Sequence, residues 1–251
     1  MKTIFISFLS LCLFSNVAYA QSLKQDSLSQ KGNIKFKPAA LIMPSVLLTY
    51  GFIGIESDYL KTLNIEVKEE VAEHIDKKIS IDDFSQYSAM AAVYGLNLFG
   101  VKGKNNFKNR TLILTTSYIM MGATVYSLKN LTKVERPDSS GNNSFPSGHT
   151  ATAFMCAEFL YQEFKDKSIW YGVAGYVVAA GTGAFRIYNN RHWLTDVTAG
   201  AAIGILSTKA AYWFNPYLQK KLFTPQKKSK VLYSFVPSYN QGMGFNFSAR
   251  F

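Results

Sequence analysis

The stretch NSFPSGHTATAF, residues 143–154, turns from loop to helix at Pro146-Ser147-Gly148-His149. Proline is tolerated in the first turn of a helix, where its missing N–H had no partner in any case. Serine caps a helix start, and glycine lets another group approach the backbone closely. The free N–H groups and positive dipole end at a helix N-terminus favour an anion. A histidine at such a mouth is placed to exchange a proton with whatever anion sits there. A capped helix with an incidental histidine has the same local pattern, so the rest of the chain has to decide.

Two further groups of chemistry-capable residues lie on either side. Lys129-Asn-Leu-Thr-Lys-Val-Glu-Arg136-Pro137 ends a helical pattern at about 111–129. Arg186-Ile-Tyr-Asn-Asn-Arg-His192-Trp-Leu-Thr-Asp196 leaves a pattern at about 168–185 and enters one at about 194–214. The other helical patterns cover about 85–100 and 148–164. With up-and-down connectivity the three groups fall at one end of a helical bundle. Two histidines, one carboxylate and at least three cations would meet there. His149, His192 and Asp196 could ligate zinc, but Lys129, Arg136 and Arg186 would crowd a dication with positive charge. A tetrahedral anion fits better, because the arginine fork matches phosphate oxygens. Two histidines beside a phosphate suggest one nucleophile and one acid. A carboxylate four residues on would hold the nucleophile's other nitrogen protonated.

In order and spacing, Lys-x6-Arg-Pro, Pro-Ser-Gly-His and Arg-x5-His-x3-Asp resemble the signature of the type 2 phosphatidic acid phosphatase family, which includes lipid phosphate phosphatases and bacterial acid phosphatases. The resemblance covers residues 129–196 directly and about 85–214 by helical context. It implies an all-α fold and catalysis without a metal or other cofactor. It makes His192 the nucleophile that forms a phosphohistidine, Asp196 the residue that orients it, and His149 the acid that protonates the leaving group. Lys129, Arg136, Ser147, Gly148 and Arg186 would hold phosphate oxygens. The family usually has serine where this chain has Phe185, which would remove one phosphate hydrogen bond. Arg191, Lys133 and Trp193 also lie close by, but loop, packing or interface roles account for them equally well. His74, in a charged helical run, reads as a surface residue.

The chain has 251 residues and a formal net charge of +11. Its first 20 residues have the form of a secretory signal peptide ending Ala18-Tyr19-Ala20. Without them one cysteine, Cys156, remains, so no internal disulfide can form. No nucleic-acid-binding motif is present, so the basic charge points to an anionic membrane or substrate. The expected organisation is a signal peptide over 1–20, a polar leader over 21–36, a helical domain over 37–216, and a basic tail over 217–251. The expected fold is all-α, a bundle of about six helices with the active site at one end, plus a short β-like C-terminal tail. That tail alternates in MGFNFSARF, with Phe245, Phe247 and Phe251 on one side. A surface hairpin accounts for it better than a barrel strand.

Each long helix could cross a bilayer, yet Glu158, Gln162, Glu163 and Lys209 are unusual for that, and the mean hydropathy is only +0.01. The apolar segment 38–55, interrupted by Pro44 and Gly51, is the one expected not to cross. Basic loops at 101–110 and 164–167 and the basic tail lie opposite the site, which puts the site on the periplasmic side of a cell envelope if the helices span; a wholly exported protein lying on or in the outer membrane is the other arrangement. The expected substrate is a membrane lipid phosphate or diphosphate: lipid A phosphate, undecaprenyl diphosphate or phosphatidylglycerophosphate. A soluble, nonspecific acid phosphatase and a non-catalytic anion-binding envelope protein are the alternatives. The sequence leaves the oligomeric state open.

Overall fold

The computed structural model describes residues 38–72, 80–223, 232–239 and 243–250. The signal peptide and polar leader expected at 1–36, His74, and Phe251 lie outside the described residues. A 3-10 turn, Pro38–Leu41, leads into α1, Ile42–Glu56, followed by α2, Asp58–Ala72. The short α3, Ile81–Ser85, precedes α4, Ser88–Leu98, and α5, Phe107–Thr132. Then come α6, Gly148–Phe164, α7, Ile169–Tyr188, and α8, Leu194–Phe223. The fold is all-α apart from the tail.

Local chemistry sets the boundaries. Asn106 caps α5 by accepting from the Asn109 N–H at 2.9 Å. The helix stops at Lys133, which turns left-handed at φ 48°. Ser147 caps α6 and Ser168 caps α7, each through its hydroxyl. Pro44, read as an interruption of the apolar segment 38–55, lies inside the continuous helix α1. It falls in the first turn, where no intrahelical partner is lost. The helical run Pro38–Glu56 and helix α5 are the two among the described residues long and apolar enough to cross a membrane.

Helix α6 is the centre of the bundle. Met155, Cys156, Phe159, Leu160 and Phe164 on it are buried with Val93, Ile113 and Tyr212. It can be approached closely because its neighbours carry glycine. A Cβ on Gly204 would lie 2.2 Å from the Ala151 carbonyl oxygen, and one on Gly200 would lie 2.5 Å from that of Ser147. This contact sets the start of α8 directly against the start of α6. On the opposite flank, a Cβ on Gly54 of α1 would collide with Thr195 at 2.3 Å.

The acids that look out of place in an apolar bundle are paired inside it. Glu158 accepts from Lys209 Nζ at 2.7 Å and Gln162 Nε2 at 2.6 Å, and also from the Tyr176 hydroxyl. Glu163 accepts from the Tyr212 hydroxyl and Asn105 Nδ2, each at 2.6 Å. It thereby ties the 101–106 loop to the far end of α6. Hydrogen-bonded pairing of this kind makes buried charge tolerable.

The tail forms an antiparallel hairpin of β1, Leu232–Tyr239, and β2, Met243–Arg250, with Leu232 opposite Arg250 and Tyr239 opposite Met243. It belongs to a second compact unit, Pro216–Phe251, distinct from the bundle unit that ends at Asn215.

Candidate active site

The end of α5, the start of α6, the end of α7 and the start of α8 lie together. The 133–147 loop, the 189–193 turn and α3 complete this end of the bundle. Lys129 donates to the Asn143 carbonyl oxygen and, at 3.4 Å, to that of Ser144. Arg136 Nε donates to Asn143 Oδ1 at 2.7 Å. The Ser147 N–H donates to the Asp196 carbonyl oxygen at 3.0 Å. The three sequence groups are therefore stitched together largely through the loop that precedes His149.

His192 is 3% exposed and Asp196 is 1% exposed. His192 Nδ1 lies 3.5 Å from Asp196 Oδ2. A shorter bond reaches the same oxygen from the Ser144 hydroxyl, at 2.5 Å, and the Trp193 N–H adds another at 2.9 Å. Ser144 Oγ is also 3.5 Å from His192 Nδ1. Asp196 is thus held rigidly by its own turn and by Ser144, and the Nδ1 edge of His192 is turned toward that pair. The other ring nitrogen, Nε2, is left for chemistry. Burial pushes the His192 imidazole down to about 4, with Lys129 and Arg186 pushing the same way against the pull of Asp196. The ring is therefore neutral at pH 7, the form with a nucleophilic lone pair.

Arg136, Arg186, Arg191 and His149 line a polar cavity of about 220 Å³, with Asp82, Asp83, Ser80 and Asn189 on the same walls. Burial and the neighbouring Arg186 pull Arg136 below its ordinary value. So much positive charge in one small space is complementary to an anion. Arg191, for which the sequence left a loop role open, belongs to this wall and is anchored to Asp138 at 3.0 Å.

Of the residues that the resemblance implicates, Lys129, Ser147, Gly148, His192 and Asp196 are outside the cavity's lining. The Ser147 hydroxyl caps α6, accepting from the Thr150 N–H at 3.4 Å and pairing with Thr150 Oγ1 at 2.9 Å. Gly148 leaves open room, since an added Cβ would meet nothing nearer than Val125 at 3.8 Å. Phe185 rests edge-on against Tyr188, 6.3 Å between ring centres.

Four contributors went unread in the sequence: Ser144, Asn143, Asp82 and Asp83. Asp82 Oδ2 accepts from Arg186 at 2.5 Å, and its Oδ1 accepts from Asn189 Nδ2 at 3.2 Å. Asp83 Oδ1 lies 2.9 Å from His149 Nε2. Ser144 carried a signal, since it stands in the opening stretch itself. The two acids did not, because they lie in a polar run far from the motifs.

On the other side of the 134–136 and 191–193 loops lies a mainly apolar cleft of about 280 Å³. Gly54, Ile55, Ile65, Val134, Trp193 and Asp196 line it, with Lys61 and Asn64 also at its wall. Trp193 is fixed there by donating Nε1–H to the Glu135 carbonyl oxygen at 2.8 Å, with Lys68 Nζ 5.6 Å above its ring. Asn64 binds Thr195 at 2.9 Å, which ties α2 to the start of α8.

Among known proteins, the chain is similar to the lipid A 1-phosphatase of Porphyromonas gingivalis, 43% identical over 136 residues. That match covers 54% of this chain and 31% of the other. It is also similar to the bacitracin transport permease protein BcrC of Bacillus licheniformis, 38% identical over 103 residues, covering 40% of this chain and 47% of that one. The chain thus spans less than half the length of each of these relatives. Two solved structures align with it. A transmembrane PAP2-type phosphatidylglycerolphosphate phosphatase from Bacillus subtilis does so at 18% identity and TM-score 0.49, covering 73% of this chain and 99% of that one. Aquifex aeolicus LpxE does so at 21% identity and TM-score 0.40, covering 71% and 88%. The PAP2 superfamily model matches residues 110–220, the span that holds both histidines, Asp196 and all three cavity arginines. Over those residues the chain is similar to the PAP2 superfamily.

Proposed function

We propose that this protein is a metal-independent phosphatase that removes phosphate from a membrane lipid phosphate or diphosphate through a phosphohistidine on His192. The observation that carries the reading is a buried, neutral histidine close to Lys129 and Arg186, together with a cavity that Arg186 shares with two further arginines and a second histidine. The phosphoryl group would sit among Arg136, Arg186 and Arg191, with Gly148 leaving room at the helix mouth. His192 Nε2 attacks phosphorus while the bond to the leaving oxygen breaks and His149 delivers a proton to that oxygen. Water then cleaves the phosphorus–nitrogen bond, and His149 takes the water's proton. Asp196 and Ser144 hold the Nδ1 edge throughout and stabilise the positive charge that develops on the ring. Lys129 shapes the cavity from behind by fixing the 143–144 backbone.

The apolar cleft beside Trp193 favours an amphiphile over a free sugar phosphate, and the apolar helices α1 and α5 favour a site at a membrane surface. The basic loops at 101–110 and 164–167 meet at the opposite end of the bundle, where Lys104 pairs with Asp166 at 3.6 Å. That polarity supports a site facing the periplasm. Among lipid substrates, lipid A phosphate stands first because of the 43% identity to a lipid A 1-phosphatase. The test is phosphate release by purified protein from lipid A, undecaprenyl diphosphate, phosphatidylglycerophosphate and p-nitrophenyl phosphate, with and without EDTA. Lipid A should be the best substrate and EDTA should leave the rate unchanged. A rate confined to p-nitrophenyl phosphate would favour the soluble acid phosphatase, and loss on chelation would overturn the phosphohistidine route.

A further inference from the structure

We propose that Asp83 is the positioning residue of the general acid: through its bond to His149 Nε2 it fixes the ring so that Nδ1 alone serves the leaving oxygen. The inference rests on the phosphatase reading above. It begins with how α3 is held. Asp82 accepts from Arg186 at 2.5 Å and from Asn189 at 3.2 Å, and Ser85 Oγ meets Thr182 Oγ1 of α7 at 2.8 Å. Three polar contacts key this five-residue helix to the end of α7. Asp82 is 1% exposed, so α3 is anchored through a buried side chain rather than laid loosely on the surface. The next residue in the chain is thereby aimed at His149.

The charges around His149 make such a partner necessary. The cavity that His149 lines also holds Arg136, Arg186 and Arg191, and burial, followed by Arg186, pulls the imidazole below its ordinary value. Asp82 and Asp83 are the anions on the same walls, and Asp82 is already engaged by Arg186 and Asn189. Asp83, bonded to the ring at 2.9 Å, is therefore the main carboxylate that offsets burial and Arg186 for His149, with Asp82 adding a smaller pull from its wall. An acid has to carry its proton before the leaving group departs. With Nε2–H bonded to Asp83, the proton on Nδ1 moves to the leaving oxygen as the phosphorus–oxygen bond breaks, and the Nε2 proton stays where it is. Asp83 takes no proton and touches no substrate. Its side chain is about half exposed, so its effect on His149 is screened and smaller than that of a buried carboxylate.

The test compares wild type, Asp83→Asn, Asp83→Glu and His149→Ala on an alkyl phosphate and on p-nitrophenyl phosphate. The Asn variant should lose about tenfold or more in kcat on the alkyl ester, less than the about 10²–10⁴-fold that a general acid supplies. It should lose little on p-nitrophenyl phosphate, whose leaving group needs no proton, and its KM should change little. The basic limb of its kcat/KM profile should move to lower pH, and Glu should restore part of both effects. Equal losses on the two esters, or an unmoved basic limb, would make Asp83 merely structural. A lower KM with kcat intact would mean that the carboxylate competes with phosphate for the cavity, and would also overturn the proposal. If wild type releases phosphate from neither ester, the phosphatase reading itself fails. If wild type is active and only His149→Ala shows leaving-group dependence, that reading stands and the positioning role alone is lost.

Discussion

His192 is buried beside Asp196 with Lys129 and Arg186 nearby, and that position determines its protonation. An ordinary histidine would be largely charged at pH 5. Here burial pushes the value down to about 4, so the neutral nucleophile persists well into the acid range and is lost only as pH falls toward that value. Histidine ring ¹⁵N spectra, with the His192 signals identified by their loss in His192→Ala, should show no titration of that ring between pH 8 and 5. A midpoint near 6.5 would mean that the site is open to water. The same His192→Ala variant should form no phosphoenzyme. Asp196→Asn should retain some turnover, because it removes the charge facing Nδ1 without removing the attacking atom.

At the scale of elements, the site depends on the closeness of α6 and α8. Gly200 and Gly204 let α8 lie against the α6 backbone, and that contact delivers Asp196 to Ser147 and Ser144. Gly204→Ala would force the helices apart, because the obstacle at 2.2 Å is a backbone carbonyl that cannot rotate away. Overpacking of this kind costs about 1–3 kcal/mol. Gly122→Ala is the control: nothing lies within 4 Å of its added methyl, and alanine is the better helix former by about 1 kcal/mol. Thermal unfolding in detergent should show a lower Tm for Gly204→Ala and an equal or higher one for Gly122→Ala. Equal shifts would mean that the contact is not tight.

Over the whole molecule, the polar pairs and the exposed apolar surface point the same way. Glu158, Glu163 and Lys209 are satisfied inside, while Ile119, Tyr126, Trp170, Val173 and Val177 face outward. An apolar exterior around a paired polar interior suits a lipid surrounding. The protein should accordingly sediment with membranes, resist extraction by high salt or carbonate, and dissolve active in mild detergent. Release of active enzyme by osmotic shock would place it among soluble phosphatases.

The sequence by itself determined helices α4 to α8, the alternating tail and the short-range chemistry, because helix periodicity, strand alternation and caps are written within a few residues of one another. It also brought His149, His192, Asp196, Arg136 and Arg186 to one end, since the order of helix ends and starts follows from connectivity alone. Only the tertiary structure decided which carboxylate faces which cation. Asp82 and Asp83 reach Arg186 and His149 across 104 and 66 residues of chain, a separation at which no periodicity or spacing rule operates. It likewise brought Arg191 into the cavity wall, because a side chain's partner is set by what packs opposite it. The continuity of α1 through Pro44 was decided on the same scale as the capping. Proline breaks a helix only where it removes a hydrogen bond, and where the helix begins is fixed by the chain before it.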